Sequence, residues 1–121
     1  MAITDKLQVE IMPDGRSVRL LRPFGDSGHV VPAGFVSDFA TIPRIFWRLL
    51  PPWGRYSPAA VIHDWLYRVN GVTRKQADGM FLRHMAELKT PWWQRTAIYY
   101  GVRAGGWVLW GRYRRADALA K

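Results

Sequence analysis

A chain of 121 residues, 49% of them apolar, is long enough to bury one core, and its length predicts a single domain over residues 1 to 121. Eighteen Lys and Arg against nine Asp and Glu give a formal charge of +9, which favours polyanionic surroundings such as nucleic acid or an anionic lipid surface. The absence of cysteine excludes disulfides and thiolate metal sites. We expect no signal peptide and no transmembrane helix, since no apolar run is long enough for either.

Residues 1 to 40 predict a small antiparallel sheet. Apolar and polar residues alternate from 7 to 12, a turn follows at Pro13-Asp14-Gly15, and an extended pattern resumes from 17 to 21, which indicates a β-hairpin. After a glycine-rich turn around Gly25 to Gly28, residues 29 to 36 predict one or two short strands. Three or four strands are therefore expected in one sheet.

Residues 41 to 110 predict helices, each introduced by a capping or proline signal. Thr73 and Gln76 have the form of a capping box, which marks one of these starts. The predicted helices cover about 43 to 50, 57 to 68, 73 to 89, and 92 to 107 or beyond. Residues 111 to 121 are expected to form a solvated basic tail. The fold class is α+β, with the sheet packed on three or four helices that include an antiparallel helical hairpin.

The second and third predicted helices carry the densest titratable chemistry. A turn at 69 to 72 makes them an antiparallel pair, in which His63 and Asp78 lie side by side because they are equally far from the turn. A histidine held by a facing carboxylate is the basic unit of a general base or an oriented metal ligand. Tyr67 lies one turn beyond His63, and Asp64 points about 100° away, where it can bind a cation. The alternative is a buried network that only fixes helix register.

Structural roles are favoured for three other titratable residues, Asp38, His29 and His84. Asp38 lies in the segment between sheet and helix among apolar neighbours, where an unpaired carboxylate is costly to bury. A cap on the Thr41 helix or a salt bridge to an arginine such as Arg44 or Arg68 is ranked slightly ahead of metal binding. His29 and His84 have no acidic neighbour at a useful spacing, so both are interpreted as structural.

Seven tryptophans are a large excess for this length, and four of them lie in the basic last third of the chain: Trp92, Trp93, Trp107 and Trp110. Tryptophan combined with arginine suits a membrane interface, a protein interface or stacking on bases. Burial of most of these side chains in the core is an equally weighted alternative.

Three motifs of the chain follow one another with characteristic spacing. They are Gly34-Phe35-x-Ser37-Asp38-x-Ala40-Thr41-x-Pro43, His63-Asp64-x-Leu66-Tyr67 and Arg74-x-x-x-Asp78-x-x-Phe81. Together they resemble a known family of small phage and prophage proteins, catalogued as domain of unknown function number 1353. The resemblance spans about residues 5 to 107 and implies a phage-encoded origin, in a virion (tail) or late-gene setting.

The helical hairpin alone also resembles the catalytic helices of phospholipase A2, especially the bacterial and fungal type. That resemblance implies His63 as the general base that activates water, Asp78 as the carboxylate that orients it, and Asp64 as a calcium ligand. The flanking cysteines and the glycine-rich calcium loop of that class are absent, so Asp38 and its loop would supply the missing oxygens.

Three functions follow as hypotheses. The first is a virion (tail-associated) or late-gene accessory protein that binds other phage structural proteins, located in the virion or the host cytoplasm, and carries a hydrolase-like His63, Asp64, Asp78 and Tyr67 constellation. The second is a calcium-dependent lipid or ester hydrolase of the host envelope, with the C-terminal helix on the anionic membrane surface. The third and weakest is nucleic-acid binding, since no base-reading motif is present.

Overall fold

A computed structural model describes residues 6–26, 28–39, 41–42, 45–46, 56–69 and 71–120. Within these ranges the chain forms five short β-strands and three longer α-helices, which confirms the predicted α+β class. The strands are β1 (Val9–Ile11), β2 (Val18–Leu20), β3 (Phe24–Gly25), β4 (Val30–Val31) and β5 (Val36–Ser37). The helices are α1 (Ser57–Arg68), α2 (Arg74–Glu87) and α3 (Trp92–Ala120).

The predicted hairpin is confirmed, but the described strands form two sheets instead of one. Strands β1, β2 and β5 make a three-stranded antiparallel sheet, and β3 pairs with β4 alone. The sequence reading placed Gly25 in a turn, whereas it is paired in β3. A Cβ at Gly25 would overlap the backbone of His29, so only glycine allows β3 to approach β4 this closely.

The helical hairpin begins and ends close to the predicted residues. Helix α1 has Pro58 in its first turn, where proline is favoured. The predicted capping box is present at α2, because the Thr73 hydroxyl accepts from the Gln76 amide at 3.1 Å and the Gln76 side chain accepts from the Thr73 amide at 2.9 Å. Ile45 and Phe46 are helical, and the rest of the helix predicted before Pro51 lies outside the described residues.

Helix α3 runs for 29 residues, so the segment predicted as a solvated tail is helical through Ala120. Packing against α1 explains the difference. Arg114 donates to the carbonyl of Tyr67 at 2.8 Å and lies 4.5 Å from the ring centroid of Trp110. No helix within the described ranges is both long and apolar enough to cross a bilayer.

Helix α1 is the central element of the core. Nine of its twelve residues are buried, including Ala59, Ala60, Val61 and Ile62. It contacts both sheets through β4 and β5 and both other helices. The residues that carry the titratable chemistry therefore lie on the most enclosed element of the fold.

Candidate functional site

Asp78 is the centre of a buried polar network. Its Oδ1 atom lies 2.7 Å from Nε2 of His63 and accepts a hydrogen bond from the Tyr67 hydroxyl at 2.7 Å. The antiparallel register that was read from the sequence thus brings His63, Tyr67 and Asp78 together. All three are buried.

Two arginines contact the other carboxylate oxygen of Asp78 and complete this network. Arg103 on α3 donates to Oδ2 of Asp78 at 2.7 Å, and Arg74 lies 3.5 Å from the same atom. The sequence analysis names Arg74 only within the family motif, although its position one helical turn before Asp78 on the same face predicts this contact. It gives Arg103 no role. Arg103 is 25 residues away and carried no sequence signal.

The network determines the charge state of Asp78. Burial by itself raises the pKa of this carboxyl, but hydrogen bonds from His63, Tyr67 and Arg103 outweigh it and hold the pKa below its ordinary value. Burial and the neighbouring Asp78 charge raise the pKa of the Tyr67 hydroxyl far above its ordinary value. Asp78 is therefore an anion that accepts from a neutral phenol and from charged guanidinium groups.

His63 is enclosed by aromatic rings. Its imidazole stacks on Phe81 with ring centroids 4.5 Å apart and lies 4.4 Å from the Tyr67 ring. The His63 side chain has 0% of its surface exposed. Its second nitrogen, Nδ1, is buried and has no hydrogen-bond partner among the described residues. Two surface cavities in the described part of the chain, beside Arg83 and Trp110, do not include His63 in their linings.

Asp64 holds the loop that follows β5. Its carboxylate accepts hydrogen bonds from the hydroxyls of Ser37 and Thr41 and, at 3.0 Å, from the backbone amide of Phe39. Phe39 has a φ of 59°, a left-handed conformation that is uncommon for a bulky residue. Burial raises the pKa of Asp64 although the hydrogen bonds from Ser37 and Thr41 lower it.

This geometry does not fit the predicted calcium site. Calcium takes six to eight oxygen ligands, usually with several carboxylates. Both Asp64 oxygens face protein donors, and Asp38 is exposed on the surface. The Asp38 charge raises the pKa of Asp64, so the two carboxyls repel each other. Within the described ranges, no three His, Asp or Glu side chains are grouped as metal ligands.

A second buried histidine–aspartate pair was missed by the sequence reading. Nε2 of His84 on α2 lies 2.9 Å from Oδ2 of Asp26, which follows β3. Asp26 also accepts from the backbone amides of Gly28 at 2.8 Å and His29 at 2.7 Å. Burial raises the pKa of Asp26, but these backbone bonds outweigh it and the pKa is lowered. Asp26 and His84 are 58 positions apart in the sequence, which explains why no spacing rule predicts the pair.

Fold and site together define a small α+β protein in which buried aspartates join loops and helices. The chain belongs to the family described as "Protein of unknown function (DUF1353)", whose model matches residues 20–102. It is also similar to "Uncharacterized protein y4jT" of Sinorhizobium fredii, with 34% identity over 83 residues that cover 65% of this chain. The matched stretch is 25% of the length of that relative. No solved structure matches the chain.

Proposed function

We propose that this protein is a phage-encoded virion (tail-associated) or late-gene accessory protein that acts by binding other phage structural proteins. In this proposal the constellation of His63, Asp64 and Asp78 holds the binding fold and does no chemistry. The enclosure of His63 supports it, since a general base must come within hydrogen-bond distance of the water or substrate it deprotonates. The His63 side chain has no exposed surface.

The two carboxylates support the same proposal, because their oxygens are already in use. Asp78 on α2 is hydrogen-bonded to side chains of α1 and α3, and Asp64 accepts from the loop after β5. A buried network in which each carboxylate oxygen has a protein donor fixes one arrangement of helices and loops. Such a rigid scaffold suits a component of a larger assembly. The phage setting rests on the family motifs.

The experiment uses phage particles made by the strain that encodes this chain. Mass spectrometry of gradient-purified particles should detect the chain in a fixed ratio to known tail proteins. A phage protein that acts only in the cytoplasm serves as the contamination control. If the chain is present only at the level of that control, the virion proposal is wrong.

A substitution at His63 separates a structural from a catalytic role for this residue. His63→Gln keeps a donor that can reach Asp78 but removes the proton-accepting imidazole. Under this proposal a phage carrying His63→Gln yields normal numbers of infectious particles. A folded His63→Gln protein that is present in particles with greatly reduced infectivity would contradict the structural role.

A second candidate function is that of a lipid or ester hydrolase, and the environment of the His63 Nδ1 atom supports it. Nε2 of His63 is anchored to Asp78 while Nδ1 has no partner within the described residues. This is the orientation in which an imidazole takes a proton from water. Access would require the Phe81 ring to move away from the His63 ring, on which it stacks.

Vesicles of anionic phospholipid test the hydrolase candidate. The wild-type protein should release fatty acid, with or without added calcium, and His63→Gln should release none. Absence of release from the wild-type protein with calcium, magnesium, manganese and zinc in turn would eliminate this candidate.

A further inference from the structure

Helix α3 has an apolar outer face opposite the face that packs on the core. Ile98, Val102 and Gly106 are buried on the inner face. Three aromatic side chains at seven-residue intervals project from the outer face, and they are exposed by 56%, 66% and 63%. They are Trp93, Tyr100 and Trp107. A surface helix ordinarily presents polar residues to water, so this face has the character of an interface.

Small residues alternate with these aromatic residues along the helix, in the steps of three and four residues that are typical of two packed helices. Ala97 and Ala104 each follow one aromatic residue of this face by four positions and precede the next by three, and Gly111 follows Trp107 by four. Alternating steps of three and four keep one seam of a helix directed at a partner helix. The seam of α3 is therefore a row of large aromatic side chains, each followed by a small residue that leaves room for a side chain of a partner helix.

We propose that this seam binds a second copy of the same chain, with the two α3 helices antiparallel and related by a two-fold axis near Val102. In that arrangement each aromatic residue lies opposite a small one: Trp93 opposite Gly111, Tyr100 opposite Ala104 and Trp107 opposite Ala97. A parallel pair would place ring against ring and gap against gap, which leaves voids. A two-fold interface needs a self-complementary surface, and this seam is one.

Charge favours a second copy over a lipid or nucleic-acid surface. The only charged residues from 93 to 111 are Arg95 and Arg103. Each is directed to its own chain, Arg95 to the carbonyl of Thr90 at 3.0 Å and Arg103 to Asp78 at 2.7 Å. Anionic partners are bound by cations on the contacting face. Antiparallel packing also keeps the basic segment 112–115 of one copy away from that of the other.

The size of the seam predicts a modest affinity. Aromatic side chains of this kind bury about 150 to 250 Å² each, so three that are about 60% exposed offer roughly 300 to 450 Å² per copy. Two copies, with the small residues between the rings, would bury about 1,000 Å² in total, at the lower end of specific interfaces. The dimer is therefore expected to dissociate in the micromolar range.

Sedimentation equilibrium over a wide range of protein concentration tests the pairing. The wild-type chain should pass from monomer to dimer, and Tyr100→Arg or Ala104→Arg should weaken association by at least about tenfold. Ile11→Arg is the matched control, because Ile11 is 57% exposed on β1, away from α3, and its substitution should leave association unchanged. A wild-type chain that stays monomeric overturns the proposal, as does equal association of Ile11→Arg and Tyr100→Arg.

Single cysteines test the antiparallel arrangement, since the natural chain has none. Ala104 and its symmetry mate would lie about 6 Å apart along the helix axis, whereas Ala118 and its mate would lie about 48 Å apart. A short thiol cross-linker should therefore join two Ala104→Cys chains but not two Ala118→Cys chains. Cross-linking of both shows a parallel pair and overturns the arrangement. A third outcome is a wild-type chain that is monomeric and binds anionic vesicles, and that loses this binding in Tyr100→Arg. In that case the face binds lipid and the proposal is wrong.

Discussion

Asp78 on α2 and His63 on α1 are joined by a buried contact of 2.7 Å between Oδ1 and Nε2. Since Arg103 of α3 binds the other oxygen of the same carboxylate, one side chain connects all three helices. Removal of one member of a buried charged network leaves the remaining members without partners. The resulting loss in the free energy of unfolding exceeds the net stabilisation that the intact network provides. The fold is thus expected to be sensitive to a small change at Asp78.

Asp78→Ala should lower the free energy of unfolding by about 3 to 5 kcal/mol, because it leaves His63 and Tyr67 without a partner in the core and removes the ion pair of the partly exposed Arg103. Asp117→Ala is the control. Asp117 pairs with Arg114 at 3.0 Å, but its side chain is 41% exposed, and loss of such a pair costs about 1 kcal/mol or less. Urea denaturation measures both. Similar losses for the two variants would mean that the buried network does not stabilise the fold.

Acid should destabilise the protein partly through Asp78. A carboxyl whose pKa is lowered on folding contributes stability above its unfolded pKa, and that stability is lost as the pH falls through the folded pKa. Asp78 and Asp26 are of this kind. Asp64, whose pKa is raised, contributes in the opposite direction, so its stabilisation is lost as the pH rises through its folded pKa.

The measurement is the free energy of unfolding from about pH 2 to about pH 6 for wild type and Asp78→Asn. The wild-type value should rise with pH more steeply than the value for Asp78→Asn, which lacks one of the lowered carboxyls. Asp117→Asn serves as the exposed control, since the Asp117 side chain is 41% exposed. Parallel curves for wild type and Asp78→Asn would show that Asp78 has the same pKa in both states.

Local rules predicted much of the fold. The hairpin at Asp14, the capping box at Thr73 and the proline start of α1 depend on residues a few positions apart, and each is present where the sequence placed it. Strand β3 was missed because the reason for it, the close approach of Gly25 to the backbone of His29, is a contact between strands. The helicity of residues 111 to 120 was missed because it accompanies packing on α1.

The contacts of the candidate site also divide into those that local rules predict and those that depend on residues far apart in the sequence. The meeting of His63 and Asp78 follows from the symmetry of a short hairpin. The partners of Asp64 could not be derived, because Ser37 and Thr41 belong to an irregular loop that no periodicity places. The sequence left a cap, a salt bridge and metal binding open for Asp38 and predicted a cation ligand at Asp64, whereas the Asp64 carboxylate accepts hydrogen bonds from this loop.

Asp64→Ala should release the loop after β5. Without the carboxylate, the Phe39 amide and the hydroxyls of Ser37 and Thr41 lose their acceptor, at a cost of about 1 to 3 kcal/mol. Asp64→Asn should cost less, since its amide oxygen still accepts and the hydroxyls can rotate to accept from its NH2 group. Hydrogen exchange should show faster exchange at Phe39 in Asp64→Ala, with little change at the Gln76 amide of the α2 cap. Unchanged exchange at Phe39 would show that other contacts hold the loop.

Two adjacent glycines of α3 provide a matched test of packing between α3 and α1. A Cβ at Gly106 would overlap the Tyr67 hydroxyl, whereas a Cβ at Gly105 would meet nothing within 4 Å. Gly105→Ala should therefore stabilise the protein by up to about 1 kcal/mol through helix propensity. Gly106→Ala should destabilise it by about 1 to 3 kcal/mol, because Tyr67 must move and its bond to Asp78 is strained. Thermal unfolding of both variants measures the difference, and a Gly106→Ala protein as stable as Gly105→Ala would show that α3 packs less closely on Tyr67 than the structure describes.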